Sequence, residues 1–435
     1  IPIEYHINYE TGGRIMVAFY PPMGWNSWDC YGAAVDEKTV KQNAEFMSKH
    51  LKQYGWEYIV VDIQWYQPSA ATHEYQPFAD LVMDEYSRLM PAENRFPSAK
   101  GGKGFAPLAE YVHSLGLKFG IHIMRGIPRQ AASKNTKIKG SNYTARQVAV
   151  YNDICWWNPD MYGTNAECEG AKDYYNSIFE MYAEWGVDFV KVDDICRNDR
   201  NEGEIKLIAE AIKHCGREMV LSLSPGPAKI SQSEFFKEYA NMWRITDDFW
   251  DRWDLLYNMF ERAQVWADHA GAGHWPDADM LPIGPINQVY SKDNRTNFTH
   301  DEQKTMMSLW CMMRSPLMIG GEMTGFDEFT MSLVTNPELL EIEKKSFCAR
   351  MLSRRVVDGC EQITWFAPTP DGSCFYLALF NAGEKDSVIS VDLKTLGIDV
   401  NESYEIWDKT TAAVCGSVSA TVRPHGVALY KLTKK

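Results

Sequence analysis

From about Pro21 to about Gly321 the chain alternates short apolar segments of strand character with longer helix-like ones, and this alternation restricts the fold more than any other feature. Parallel strands need crossovers that carry the chain back over the sheet, and helices are the usual crossovers. Eight segments read as strands. They end at Gly24–Trp28, Ile59–Asp62, Phe119–Ile123, Val190–Asp193, Val220–Ser224, Met242–Ile245, Gly273–Asp277 and Leu317–Gly320. Helical segments lie between them at Glu37–Leu51, Phe105–Leu115, Ala171–Trp185, Glu204–His214, Trp250–Ala267 and Glu302–Arg314. Thr299-His300-Asp301-Glu302 before the last of these is a capping-box pattern. Eight strands with intervening helices predict a (β/α)8 TIM barrel, whose chemistry sits on the loops leaving the carboxyl ends of the strands.

After about Asn336-Pro337-Glu338 the pattern changes to alternating segments such as Gln362–Phe366, Cys374–Phe380 and Ser387–Val391, with turn signals such as Pro370-Asp371-Gly372 between them. This is the pattern of an antiparallel β-sandwich. The expected division is a catalytic α/β barrel over 1–346 and a C-terminal β-sandwich domain over 347–435. A chain of 435 residues suits a large barrel with such an appendage.

A formal net charge of −14 argues against nucleic acid or an anionic membrane surface as partner, since both need a basic face. A neutral substrate fits better, and 15 Trp provide apolar rings of the kind that stack on sugars. No run of about 18 apolar residues is present to span a bilayer, and Ile1-Pro2-Ile3-Glu4-Tyr5 has neither the basic start nor the apolar centre of a signal peptide. The expectation is a cytoplasmic protein, or a secreted one if an N-terminal segment has been removed; a homo-oligomer is left open. The sequons at Asn142, Asn294 and Asn297 are short pattern matches that do not establish secretion. The ten cysteines show no zinc-type spacing and read as buried thiols, with a Cys155–Cys196 bridge at the rim of the site as the alternative for that pair.

Two segments carry the chemistry. Phe189-Val190-Lys191-Val192-Asp193-Asp194 and Trp243-Arg244-Ile245-Thr246-Asp247-Asp248 both run from strand character into carboxylates, at the barrel end where function is expected. Asp also ends strands simply because it starts turns. A facing pair of carboxylates, however, is the machinery that cleaves glycosidic bonds. Side chains in a strand alternate faces, so Lys191 and Asp193 share one face while Asp194 points elsewhere. In the second segment the chain has entered a loop after Ile245, and alternation does not choose between Asp247 and Asp248. The connections Gln64–Lys103 and Met124–Lys172 are long, rich in Tyr, Trp, Pro and Asn, and are expected to wall the site.

Pro22-Met23-Gly24-Trp25-Asn26-Ser27-Trp28 closely resembles the opening motif of glycoside hydrolase family 27, the α-galactosidases and α-N-acetylgalactosaminidases. The resemblance continues in order through Tyr58–Asp62 with Trp65, Phe189–Asp193, Trp243–Asp248, Gly273–Leu281 and Ser315–Gly320, about 300 residues in all. It implies exo-acting, retaining hydrolysis of a terminal α-linked galactose or N-acetylgalactosamine, with no metal and no cofactor. It also implies Asp193 as nucleophile and, by the spacing from Arg244, Asp248 as acid/base. Carried over in the same way, Trp25 and Trp28 stack on the sugar, Asp62 and Lys191 bind ring hydroxyls, Arg244 meets the 2-substituent, and Ser224 and Asp279 complete the binding set. Trp25 as a core residue and Asp279 as a loop brace are the structural alternatives.

The sequence departs from the family in three places. Many members follow the second-strand Asp with another Asp that also touches hydroxyls, whereas here Ile63 follows Asp62, a change that bears on which sugar is accepted. This leaves a β-L-arabinopyranosidase or another α-glycosidase of the same family as alternatives. The third strand carries His122 where an aromatic is common, and a satisfied core histidine is the preferred reading. Ser224 and Gly226 in the fifth-strand loop are small, which tilts the expectation toward N-acetylgalactosamine. A barrel that binds carbohydrate without cleaving it is the rival from a different class.

Overall fold

The computed structural model describes residues 17–433, so the expectation concerning Ile1 to Tyr5 lies outside the described residues. Eight parallel strands form one curled sheet: β1 Met23–Asn26, β2 Tyr58–Val61, β3 Lys118–Met124, β4 Phe189–Asp193, β5 Val220–Leu223, β6 Met242–Arg244, β7 Trp275–Asp277 and β8 Leu317–Ile319. Neighbours follow chain order, with β8 beside β1. The sheet closes between β7 and β8 through a single residue. The Leu281 amide donates to the Met318 carbonyl at 2.8 Å, and its carbonyl accepts from the Gly320 amide at 2.9 Å. The architecture is the expected TIM-like barrel followed by an antiparallel sheet domain.

The two-residue period of the strands sorts side chains between two cores. Ile59, Val61, Ile121, Val190, Val192, Leu221, Leu223, Trp243 and Ile319 belong to the large cluster shared with the helices. The alternate positions Tyr58, Val60, Phe189, Val220, Met242, Trp275 and Met318 form a separate cluster inside the barrel. Gly24 and Gly120 make room for Tyr58 and Phe189 on the neighbouring strands, since a Cβ at Gly24 would stand 2.5 Å from the Tyr58 carbonyl oxygen and one at Gly120 would stand 2.9 Å from the Phe189 Cβ. Following the same inward-facing rows toward the carboxyl ends gives Asn26, Asp62, His122, Lys191, Asp193, Ser222, Arg244 and Asp277. The barrel is thus apolar at one end and charged at the other.

The six expected helices are present with ends shifted by a few residues, among them Glu169–Trp185, Glu202–Cys215 and Trp253–Trp266. The capping box forms reciprocally: the Thr299 amide donates to Glu302 Oε2 at 2.8 Å, and the Glu302 amide donates to Thr299 Oγ1 at 3.2 Å. Ser233–Tyr239 between β5 and β6 is a further helix, two turns long and too short to show a period. The first strand stops at Asn26 rather than Trp28, because the Trp28 amide donates to Asn26 Oδ1 at 2.9 Å and starts a helical turn over Trp28–Tyr31.

The C-terminal domain has strands β9 Arg350–Val357, β10 Cys360–Pro368, β11 Cys374–Asn381, β12 Ser387–Asp392, β13 Glu402–Glu405, β14 Thr410–Ala413, β15 Ser417–Val422 and β16 Val427–Thr433. Six form one antiparallel sheet, β9-β10-β11-β16-β13-β14, and β12 pairs with β15 in a second. β11 is buried along its whole length. Leu377 and Leu379 fill the space toward the second sheet, while Tyr376, Ala378 and Phe380 join the barrel cluster, Phe380 meeting Phe260 with ring centroids 5.0 Å apart. A strand covered on both faces reads as continuously apolar. Replacement Gly24→Ala should destabilise the barrel by about 1–3 kcal/mol through overpacking against Tyr58, measured as a lower urea midpoint.

Candidate active site

Asp62, Lys191, Asp193, Arg244, Asp248 and Asp279 converge on one cavity at the carboxyl ends of the strands, walled also by Trp28, Asp29, Tyr75, Phe249, Trp250 and Met280. The opening motif builds part of it. Asn26 Nδ2 donates to Asp62 Oδ2 at 2.7 Å, and Ser27 Oγ accepts from the Asp62 amide at 3.0 Å, so β1 fixes the carboxylate at the end of β2. Lys191 Nζ donates to the same Oδ2 at 2.9 Å. Burial alone would raise the Asp62 pKa, but Lys191 and then His122 outweigh it and keep the carboxylate ionised.

Asp193 receives two hydrogen bonds. His122 Nε2 stands 3.0 Å from Oδ2, and because an ionised carboxylate only accepts, His122 is the donor. The Asp194 amide donates to Oδ1 at 2.8 Å. Burial works against the charge, yet the His122 contact, Lys191 and the Asp194 amide reverse it and hold the Asp193 carboxyl well below the usual carboxylate range. Asp194 turns away, as strand alternation requires. Its backbone is left-handed at φ 57°, and its carboxylate pairs with Arg125 at 2.9 Å. Arg125 also holds Asp153 at 2.8 Å and donates from Nε to the Asp194 carbonyl at 2.7 Å, which anchors the turn directly after Asp193.

On the opposite strands Arg244 is buried and forms an ion pair with Asp279, and its Nη2 lies 3.5 Å from Asp248 Oδ1. Asp279 also accepts from the Phe249 amide at 2.7 Å, so it braces the loop that carries Asp248 as well as lining the cavity. Burial raises the Asp279 pKa against the opposing Arg244, with Asp248 and Asp277 adding to the rise. Asp248 sits at the mouth with 57 % of its side chain exposed. Its carboxyl is nevertheless above the ordinary range, first through desolvation by the surrounding wall, opposed by Arg244, and then through repulsion from Asp193. Asp247 faces outward, 62 % exposed and paired with Arg197 at 2.7 Å.

Two expected contacts are corrected. Trp25 does not reach the cavity. It occupies the outward-facing row of β1, fully buried in the barrel–helix cluster, with its indole N–H donating to the Gly321 carbonyl at 2.9 Å. Ser224 is also buried, its carbonyl occupied by the Ile195 and Cys196 amides at 3.0 and 3.3 Å and its hydroxyl without a partner among the described residues, and neither it nor Gly226 lines the cavity. Gly226 is packed so closely on the Arg244 and Thr246 carbonyls that a Cβ would collide with both. Ile63 is buried in the main cluster and offers no acceptor beside Asp62. His122 is fully buried and hydrogen-bonded, as expected of a satisfied core histidine, and the partner that satisfies it is Asp193. Cys155 and Cys196 are unbridged, and burial pushes both thiols up to about 12.

Sequence reasoning passed over Asp29, Tyr75, Phe249, Trp250 and Met280. Phe249 and Trp250 directly follow Asp248, and Met280 follows Asp279, so adjacency was a usable signal. Tyr75 comes from the first of the two long connections and stacks on Trp28, with centroids 4.9 Å apart and planes at 20°. Trp157 from the second connection packs behind it at 5.2 Å. The first connection therefore walls the site as expected, while the second supports that wall from behind.

The family described as alpha galactosidase A matches residues 20–152 and 144–345, and the alpha galactosidase C-terminal beta sandwich domain matches residues 360–432. Among curated relatives, the alpha-galactosidase of Coffea arabica is 27 % identical over 95 % of this chain and 93 % of its own length. That of Cyamopsis tetragonoloba is 26 % identical over 95 % of this chain and 86 % of its own. A solved family 27 β-L-arabinopyranosidase from Geobacillus stearothermophilus is 54 % identical, with a TM-score of 0.92 over 96 % of this chain and 97 % of the other. A Bacillus halodurans structure provisionally assigned as an α-N-acetylgalactosaminidase is 51 % identical, with a TM-score of 0.86 over 97 % of this chain and 99 % of the other. The chain belongs to the alpha-galactosidase family of glycoside hydrolases, family 27, and is a glycosidase.

Proposed function

We propose that the protein is an exo-acting, retaining glycosidase that removes a terminal β-L-arabinopyranosyl residue by double displacement, with Asp193 as nucleophile and Asp248 as acid/base. The observation that carries the mechanism is the pair of carboxyls on one cavity wall with their proton affinities pushed apart, Asp193 down and Asp248 up. Asp193 attacks the anomeric carbon while Asp248 gives its proton to the glycosidic oxygen, and the aglycone departs as an alcohol. A water then gives a proton to the Asp248 carboxylate and attacks the same carbon. The ester to Asp193 breaks, and the sugar leaves with its configuration retained. Trp28 and Tyr75 supply an apolar wall, and Asp62, Lys191 and Arg244 supply hydroxyl partners.

β-L-Arabinopyranose has the ring stereochemistry of α-D-galactopyranose without the hydroxymethyl group. Ile63, where many relatives carry a second carboxylate, removes one hydroxyl acceptor and so suits a sugar with one hydroxyl fewer. The 54 % identity to a β-L-arabinopyranosidase supports the same choice. Terminal α-galactose or N-acetylgalactosamine is the second reading, favoured by the curated relatives named alpha-galactosidase and by the Bacillus halodurans protein. Ser224 and Gly226, small as they are, do not line the cavity and so add no support for an N-acetyl group.

Nitrophenyl glycosides of β-L-arabinopyranose, α-galactose and α-N-acetylgalactosamine should be turned over with the arabinopyranoside first by at least tenfold in kcat/KM; a preference for either hexose would overturn the sugar assignment, and no turnover of any with binding retained would overturn the enzyme. Asp193→Ala should abolish turnover and be partly restored by azide, giving a product of inverted configuration. Asp248→Ala should slow poor leaving groups far more than activated ones, read from a series of aryl glycosides. His122→Phe removes a group that holds the Asp193 pKa down. The acid limb of the pH–rate profile should therefore move to higher pH, with kcat/KM falling about tenfold or more.

A further inference from the structure

We propose that Asp29 is a further sugar-binding residue, whose Oδ1 hydrogen-bonds a hydroxyl of the bound pyranose. The inference rests on the reading of the cavity as the sugar site. Every other carboxyl on the wall has a hydrogen-bonding or ionic partner: Asp62 has Asn26 and Lys191, Asp193 has His122 and the Asp194 amide, and Asp248 and Asp279 have Arg244. Asp29 lines the same cavity and is 3 % exposed, yet among the described residues neither of its oxygens has a hydrogen-bond partner: Oδ2 is enclosed against Gly320, and Oδ1 is the oxygen left open to a ligand. A buried polar group in that state is costly, and natural structures tolerate it mainly where something else completes it.

The surroundings keep the carboxyl where it is. The Asp29 carbonyl accepts from the Asn287 amide at 2.7 Å, which fixes the backbone. At the end of β8 a Cβ on Gly320 would collide with Oδ2, so glycine there leaves the space that the carboxyl fills. The two cations on the wall are engaged elsewhere, Lys191 with Asp62 and Arg244 with Asp279. Burial, and then the nearby Asp279, raise the Asp29 pKa well above the ordinary value; Lys191 and Arg244 oppose the rise without cancelling it, while Asp248 adds to it. A neutral carboxyl has one O–H to donate and a carbonyl oxygen to accept, which is the complement of a sugar hydroxyl. An ionised one at the same place would only accept and would repel Asp279.

The test replaces the carboxyl with an apolar group of similar size and reads sugar affinity and stability together. Asp29→Leu should weaken inhibition by the free product sugar and lower kcat/KM by about tenfold or more, while the thermal midpoint stays level or rises because an unpartnered polar group has gone. Asp29→Asn keeps a donor and an acceptor and should stay within about threefold of the parent in both readouts. A structural role would show the opposite signature, a fall in thermal midpoint with affinity intact in the folded fraction. The proposal is overturned if Asp29→Leu retains inhibition constant and kcat/KM within twofold, or if Asp29→Asn loses as much as Asp29→Leu. Asp29→Ala serves with the same readouts if the leucine variant does not fold, and failure of both to fold assigns Asp29 to the scaffold and also overturns it. If the parent protein is inhibited by neither L-arabinose nor D-galactose, the reading of the cavity fails first, and that is seen before any variant is made.

Discussion

Lys191 and Arg244 are the counter-charges that allow five carboxyl groups to stand around one small buried cavity. Moving charges out of water is costly, and a buried ion pair persists only where geometry and extra hydrogen bonds offset that loss. Lys191 does so with Asp62, which is further held by Asn26, and Arg244 does so with Asp279, which is further held by the Phe249 amide. With those two carboxylates neutralised, the remaining three diverge by environment. Asp193 has a histidine and a backbone amide and stays charged, Asp248 faces solvent and another carboxylate, and Asp29 has neither cation nor donor. One cation more or fewer would change the protonation of the whole set.

What was legible in the sequence follows the physics of the strand. The two-residue period put Lys191 and Asp193 on one face and Asp194 on the other, and the structure has Asp194 turned to Arg125. That same period also explains the Trp25 correction. Gly24 and Asn26 occupy the inward row of β1, so the residue between them belongs under the helices. The expectation of sugar stacking there came from likeness to a motif, and the motif's role is spread over several positions: Asn26 and Ser27 hold Asp62, and only Trp28 meets the cavity. Ser224 failed for a different reason. By parity it falls in the inward row of β5 after Val220 and Ser222, but it lies one position beyond the strand's end, is buried, and is not among the residues that line the cavity.

His122 and Asp29 show the limit from the other side. A lone histidine in an apolar strand carries no sign of its partner, because the carboxylate it meets comes from the next strand and is 71 residues away in sequence. Asp29 follows a conspicuous tryptophan and looks like an ordinary helix-start acid; only the packing around Gly320 reveals that it lacks any donor. The fold was more legible than the site because eight repeats of one pattern reinforce each other, whereas each wall residue is a single event. The C-terminal domain lies between these cases. β11 is apolar throughout because the barrel covers one of its faces, and a domain that shares its core in this way is part of the enzyme's support.

The five residues from Asp277 to Leu281 end a strand, contribute two side chains to the cavity and supply the lone bridge that joins the sheet to itself. Elsewhere around the ring, adjoining strands share ladders and a local fault is diluted. Here one residue carries the closure, two positions from the Asp279 that pairs with Arg244 and braces the Phe249 amide beside Asp248, so a single short segment sets both the seam of the cylinder and the placing of that carboxyl.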